Sequence, residues 1–371
     1  MRLVYLSPVP WLSFAQRPHK YVEWFHAKNE DAVLWIDPYP TRLPVLNDFL
    51  MQEAGARSEA RSVAALDAPS WLTVACPRSL PIEPLPGSGA VNRLFWNKLL
   101  QLVDSFIGKK DCLLVIGKPT ELALQLLVRH PCIPSLYDAM DDFPAFYRGI
   151  SRTSMARREK AIARQVSRIV VSSTGLATRF AGFKEKVVLA LNACAVEALP
   201  PVGITHKTTE QTVLGYVGTI GAWFDWPLVF ALAQANPFMC VRLIGPVYLR
   251  PPGQLPANIE LLPACDHATA IRSMLEFSVG LIPFKRTDLT ASVDPIKYYE
   301  YKALGLPVLS TRFGEMALRE YSPGVFLLNE KGDLAGQVER ALKYEYQKDE
   351  VRQFRTENSW EARFEAINIG A

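Results

Sequence analysis

Short apolar runs alternate with longer stretches of helical period along most of the chain. The first run, "RLVYLSP", is β-rich and stops at Ser-Pro. The same pattern returns as "AVLWIDP", "LTVACP", "CLLVIGKP", "PSLYDAM", "SRIVVSS" and "KVVLALNA". Such runs read as strands buried on both faces and ended by turn residues. Between them lie helical patterns, among them "RPHKYVEWFHAK", "AVNRLFWNKLLQLVDSFIG", "PTELALQLLVRH" and "SMARREKAIARQVS". Residues 197–211, "EALPPVGITHKTTEQ", break the rhythm with Pro, Thr and charge, and read as a linker. The alternation then restarts. Strands are predicted at "TVLGYVG", "MCVRLIGP", "IELLP", "VGLIPF", "LPVLST" and "GVFLLN". Helices are predicted at "DWPLVFALAQAN", "HATAIRSMLEF", "DPIKYYEYKALG" and from about residue 333 onward. The order predicts an α/β protein with two doubly wound, Rossmann-like domains, 1–196 and 212–345. Residues 346–371 are expected as a C-terminal helix packing back on the first domain. In such sheets ligands sit beyond the strand C-terminal ends, here expected in the cleft between the domains.

Composition supports a globular chain: 371 residues, 49% hydrophobic and 21% charged, enough for two cores and unlike a disordered sequence. No stretch approaches the ~18–20 apolar residues of a bilayer span. The start lacks the basic region and sustained apolar run of a signal peptide, so a cytoplasmic protein is expected. Six scattered cysteines without a close pair point to reduced thiols, not to disulfides or a metal site. Charge is unevenly shared. Residues 1–195 hold 24 Lys and Arg against 17 Asp and Glu, and the remainder holds 17 against 20. The first half is therefore expected to face the anionic partner. Its segment 151–168 carries Arg152, Arg157, Arg158, Lys160, Arg164 and Arg168. Arg157, Arg164 and Arg168 can share a helix face towards an anionic membrane surface, with Trp11 and Phe14 as an apolar anchor if their loop is exposed; a solvated basic helix is the alternative. A nucleic-acid partner is not expected, since no helix-turn-helix, zinc or RNA-binding signature is present.

Two segments carry candidate chemistry in the second half. In "GYVGTIGAWFD" a strand runs into Gly218, Thr219 and Gly221 before a helix, a turn that lets backbone N–H groups approach a phosphate. It matches neither G-x-G-x-x-G nor G-x-x-x-x-G-K-[ST], which argues against a dehydrogenase or an NTPase. In "DPIKYYEYKALGLPVLST" the charges Asp294, Lys297 and Glu300 stand three apart at a helix start, with Gly305 and Pro307 closing the helix. Lys297 opposes the helix dipole unless an anion is bound, and Glu300 can accept hydrogen bonds from vicinal hydroxyls. A nucleotide site and a solvated ion pair both fit these residues. In the first half, Asp138, Asp141 and Asp142 follow a predicted strand end. Mutual repulsion would raise at least one pKa and suit it to accept a proton, while capping of the next helix is the alternative.

"EYKALGLPVLST" resembles the E-x-x-A-x-G-x-P-V signature of nucleotide-sugar glycosyltransferases with the GT-B fold. "PIKYYEY" is similar to the P-x-K-x-x-E-Y form of bacterial cell-surface polysaccharide enzymes. "YVGTIGAWFDWPLV", "VRLIGP", "VGLIPF", "SWEARF", "AQRPHK", "YDAMDDFPAF" and "IVVSSTGLA" fall in that family's order, so the resemblance covers nearly the whole chain. It implies that Glu300 binds the donor ribose and that Lys297, beside Tyr299, lies near the donor pyrophosphate. It places Gly218, Thr219 and Gly221 near phosphate or acceptor, and Arg17 and His19 in a loop facing the acceptor. Ser292 stands where many retaining members carry a Glu. The expected activity is transfer of a sugar from a nucleoside-diphosphate sugar to a glycan acceptor, expected to be lipid-linked, in bacterial surface polysaccharide assembly on the inner face of the plasma membrane. No metal and no other cofactor are expected, and Asp141, then Asp138, is first in line as the base. A nucleotide-sugar-binding subunit without catalysis is the alternative.

Overall fold

The structure is a computed structural model and describes residues 1–13, 15–41, 68–203 and 211–367. Its contacts divide the chain into two units, Met1–Ser172 with Leu176–Leu189, and Ser173–Gly175 with Ala190–Ala371. The first unit is built on β1 (Arg2–Leu6), β2 (Val33–Ile36), β3 (Leu72–Ala75), β4 (Cys112–Ile116), β5 (Ser135–Ala139), β6 (Arg168–Val171) and β7 (Val187–Leu189). The second holds β8 (Val213–Val217), β9 (Cys240–Ile244), β10 (Ile259–Leu262), β11 (Val279–Ile282), β12 (Val308–Ser310) and β13 (Val325–Leu327). Every pairing is parallel. The orders are β3-β2-β1-β4-β5-β6-β7 and β10-β9-β8-β11-β12-β13. Each predicted apolar run forms a strand, because a parallel strand covered by helices on both faces must be apolar throughout. Strand order reverses between β1 and β4, and again between β8 and β11, which gives each unit a topological switch point where a crevice opens.

The covering helices include α1 (Arg17–Asn29), α2 (Gly149–Gln165), α3 (Trp226–Ala235), α4 (His267–Leu275), α5 (Ile296–Ala303) and α6 (Lys348–Glu357). Alternation along β8 shows how the second sheet is sandwiched. Leu214 and Tyr216 pack with Trp226 and Val229 of α3, while Val213 and Val217 pack with Met274 of α4 and Tyr301 of α5. In the first unit Val4, Leu114, Tyr137 and Ile169 belong to one cluster with Trp96 and Met155.

Two predicted helices are broken. "AVNRLFWNKLLQLVDSFIG" becomes a helix Ser88–Asn92, a 3-10 turn Arg93–Phe95 and a helix Asn97–Ile107. Trp96 sits at the break, fully buried, and its indole N–H donates to the Arg78 carbonyl at 3.0 Å, which draws the chain inward there. The expected C-terminal helix is two, α6 and Trp360–Glu365, because Ser359 caps the second by accepting the Ala362 N–H at 3.2 Å. Helix α6 packs against α5, within the second unit. Of the expected linker, residues 204–210 lie outside the described residues. Among the described residues no helix is long and apolar enough to cross a membrane.

Candidate functional site

In the second unit the loops after β8 and β11, together with the start of α4, gather at the C-terminal edge of the sheet. Helix α5 starts after an extended Pro295 and ends as the sequence predicts. Gly305 adopts φ +76°, its N–H donates to the Lys302 carbonyl at 2.9 Å, and Leu306 N–H donates to the Tyr301 carbonyl at 2.9 Å. This is the paired-bond stop that a left-handed Gly permits.

The three charges that open this segment do not share one face. Asp294 precedes the helix and turns inward. Its Oδ1 accepts from Arg319 Nη2 at 2.7 Å, and its Oδ2 accepts the Tyr299 hydroxyl at 2.9 Å and the Asn192 N–H at 2.7 Å. Tyr299 is buried, and its hydroxyl also accepts from Arg319 at 2.7 Å. The structure therefore places Tyr299 in this interior network and not beside Lys297 and Glu300. Those two do pair: Lys297 Nζ donates to Glu300 Oε2, and His267 Nε2 stands 3.3 Å from Oε1. Glu300 is only 5% exposed. Burial by itself would raise its pKa, but Lys297 and His267 outweigh burial and hold the carboxyl below its usual value. Sequence reasoning missed His267. It stands at the first position of α4, behind the Asp266 cap, and nothing in "CDHATA" announces that it meets a helix 33 residues on.

The glycine turn after β8 is held by backbone packing. Gly218 N–H donates to the Ile244 carbonyl at 2.9 Å, and a Cβ at Gly245 would overlap the Gly218 carbonyl. The Tyr216 hydroxyl donates to the Thr219 carbonyl at 2.9 Å. A Cβ on Gly221 would meet the Trp223 ring at 2.7 Å. The helix N-terminus behind this turn is already capped: Asp225 accepts the Leu228 N–H of α3 at 3.2 Å. An anion at the turn would therefore be met by loop N–H groups, not by the α3 terminus.

In the first unit two candidates expected in different roles meet. Asp138, at the end of β5, and Arg17, at the start of α1, form a buried pair. Arg17 Nε lies 3.0 Å and 3.2 Å from the two carboxylate oxygens, and the Tyr5 hydroxyl donates to Oδ2 at 3.3 Å. His19 is also interior. Its Nδ1 accepts the Gln16 N–H at 3.2 Å, so Nε2 carries the proton and donates to the Trp11 carbonyl at 3.0 Å. Burial lowers its pKa, in keeping with a neutral ring. Trp11 packs edge-on against Trp35 and is half-buried, so it is not a free anchor, and Phe14 lies outside the described residues.

The remaining carboxylates differ. Asp142 accepts from Arg179, which also pairs with the buried Glu159. Burial pushes Glu159 up to about 7, against the opposing pull of Arg179 and of the Tyr137 hydroxyl. The Asp141 side chain makes no hydrogen bond or ion pair among the described residues. Burial first, then repulsion from Asp142 and Asp138, raises it to about 6. At the β1–β4 switch point a small cavity of about 10 Å³, the room of about one water, is lined by Ser7, Asp37, Tyr39, Lys118 and Thr120. Lys118 donates to Thr41 at 3.1 Å, and burial lowers its pKa to about 8.

Along α2 the expected basic face is altered. Arg158 is buried against Glu83 at 3.0 Å, and Arg168 lies beyond the helix as the first residue of β6, so it shares no helix face with Arg157 and Arg164; it is half-buried with partners of its own. Arg157, Lys160 and Arg164 remain exposed, and their spacing of three and four residues puts them on one stripe.

Two parallel α/β units in this strand order constitute the GT-B fold of glycosyltransferases. No protein-family model matches the chain, and no curated protein matches it. Solved structures do. The chain is similar to Anabaena Alr3699/HepE in complex with UDP and glucose, with TM-score 0.62 and 13% identity over 100% of this chain and 97% of that one. It is similar to the lipopolysaccharide outer core galactosyltransferase WaaB, with TM-score 0.63 and 10% identity over 99% and 98% of the two chains. It is also similar to the N-terminal domain of Candida albicans trehalose-6-phosphate phosphatase, with TM-score 0.63 and 9% identity over 99% and 98%.

Proposed function

We propose that the protein is a glycosyltransferase that takes a sugar from a nucleoside-diphosphate sugar and adds it to a glycan acceptor in bacterial surface polysaccharide assembly. The observation that carries the reading is the Lys297–Glu300–His267 cluster at the C-terminal edge of the second sheet. A buried carboxylate held ionised by two neighbours suits ribose hydroxyls, and Lys297 at the helix start suits a diphosphate. The structural neighbour HepE holds UDP and glucose, which supports such a donor. Lys297 and the N–H groups of the turn at Gly218–Gly221 would stabilise the departing diphosphate in place of a divalent ion. Activity is therefore expected to survive EDTA; complete loss, restored by manganese or magnesium, would sink this mechanism.

Asp141 is assigned as the base that takes the acceptor proton in an inverting course, with Ser292 in place of a donor-facing Glu. A base works deprotonated, so kcat/KM should rise with pH through about 6, the value to which its surroundings raise it. Asp141→Asn should reduce kcat by about 100-fold or more, on the general-base scale. A flat profile between pH 5 and 8 in the wild-type enzyme, or an active Asp141→Asn protein, would count against the assignment. A binding subunit without catalysis would show donor affinity and no turnover at any pH.

The acceptor is assigned to the first unit, lipid-linked and presented at the inner face of the plasma membrane. The exposed stripe Arg157, Lys160 and Arg164 supports this placement, at about 1 kcal/mol per cation near an anionic surface. Anionic liposomes should co-sediment the protein at low salt and release it at high salt. Arg157→Glu with Arg164→Glu should abolish that binding and leave nucleotide affinity intact. Binding that ignores lipid charge would rule the stripe out.

A further inference from the structure

We propose that the second unit carries a second binding site, for a neutral hydroxylated ring such as a glycan residue, in the cavity beside α5 and α6. The cavity measures about 170 Å³ and is lined by Lys302, Pro323, Tyr346, Glu350, Gln353 and Phe354, among others. Lys302 stands two residues beyond Glu300, about 200° around the helix, so this cavity is on the other side of α5 from the donor cluster.

The floor of the cavity is an ammonium short of acceptors. Lys302 is buried among three rings, 4.8 Å from the centroid of Phe354, 5.4 Å from Tyr298 and 5.6 Å from Tyr346. Among the described residues its ammonium makes no hydrogen bond and no ion pair. Cation–π contact with the rings compensates part of its lost hydration, but offers no lone pair to three N–H donors. Burial, and then Arg319, lower its pKa to about 8, against Glu350.

The walls are built before any ligand arrives. The Tyr346 hydroxyl donates to the Pro323 carbonyl at 2.8 Å. Gly324, at φ +70°, leaves room for the phenol that a Cβ would block. Phe354 stacks on Tyr299 at 6.3 Å and meets Tyr298 edge-on at 5.9 Å. Fixed aromatic faces lower the ordering cost of binding. The rim keeps acceptors in reserve. Glu350 accepts the Gln347 N–H at 2.9 Å with one oxygen, and Glu357 accepts from Gln353 at 2.8 Å with one of its own. Each keeps a second oxygen free of that bond.

Charge then selects the ligand class. The two rim carboxylates oppose an anion, and Lys302 opposes a cation. A neutral polyhydroxylated ring satisfies both, because its oxygens accept from Lys302, its hydroxyl hydrogens reach Glu350, and its C–H face lies on Tyr346 and Phe354.

The test uses the full chain, with calorimetry and saturation-transfer NMR. The probes are methyl β-glucoside, methyl β-galactoside and maltotriose, with methyl glucuronide and methyl glucosaminide as charged controls. At least one neutral probe should bind, with both charged controls at least about fivefold weaker. Lys302→Met should weaken the neutral probe at least about tenfold and leave nucleoside-diphosphate affinity unchanged. Glu350→Gln, at an exposed position, should narrow the discrimination against the glucuronide, and it carries the test if Lys302→Met does not fold. Absence of any neutral binding up to ~10 mM, tighter binding of a charged control, or an unaltered glucuronide discrimination in Glu350→Gln would overturn the proposal.

Discussion

Replacing Glu300 with Ala is expected to weaken nucleoside-diphosphate binding by about 1.5–3 kcal/mol, the scale of hydrogen bonds to a charged group. Calorimetry with UDP and with uridine checks this. The loss should appear with both ligands, because the carboxylate is assigned to the ribose they share. Lys297→Ala should weaken UDP and leave uridine little changed, and equal losses for the two would contradict its diphosphate role. Unchanged affinity in Glu300→Ala would remove the donor site from this cluster. Glu300 also gives a pH signature in stability. Its folded pKa lies below its ordinary value, so its ionised form contributes stability that is present above the unfolded pKa of about 4.3 and lost as pH falls through the folded pKa. Wild type should therefore exceed Glu300→Gln in stability at pH 7, and the gap should close in acid.

The fold was legible where one local rule decided the outcome. "CLLVIGKP" and "TVLGYVG" can be little other than buried strands, and Gly305 before Pro307 can only end a helix. Long-range placement was not legible in the same way. Asp294, Lys297 and Glu300 look like one face by spacing, but Asp294 precedes Pro295 and so never joins the helix; Arg319, 25 residues on, takes it inward. Tyr299 follows it. Arg158 lies in a run of cations that reads as a solvated face, yet Glu83 holds it in the interior across 75 residues of chain. His267 and Lys118 carried no pattern at all, because each acquires its surroundings from strands and helices distant in sequence. Motifs with a backbone reason survived the transfer from sequence to structure; side chains whose meaning depends on a partner did not.

The Arg17–Asp138 pair should produce the largest stability change of any single substitution considered. The two side chains are 3% and 2% exposed, so removing one leaves the other charged and without its counter-ion in the interior. Breaking such a pair costs about 3–5 kcal/mol. Asp138→Ala and Arg17→Met should each lose that much in urea denaturation followed by tryptophan fluorescence, since Trp35 stacks on Tyr5, whose hydroxyl donates to Asp138. The double replacement Arg17→Met with Asp138→Leu should lose far less than the two single losses added together, because no unpaired charge remains. The outcome also separates two roles for the carboxylates. If Asp138 holds the β5 end to α1, its replacement lowers stability, and activity falls only with the folded fraction. Asp141→Asn should do the reverse, removing turnover while the urea midpoint moves little. A loss below about 1 kcal/mol in both single variants, the range of an exposed pair, would show that Asp138 is not the structural tie and return it to the candidates for the base.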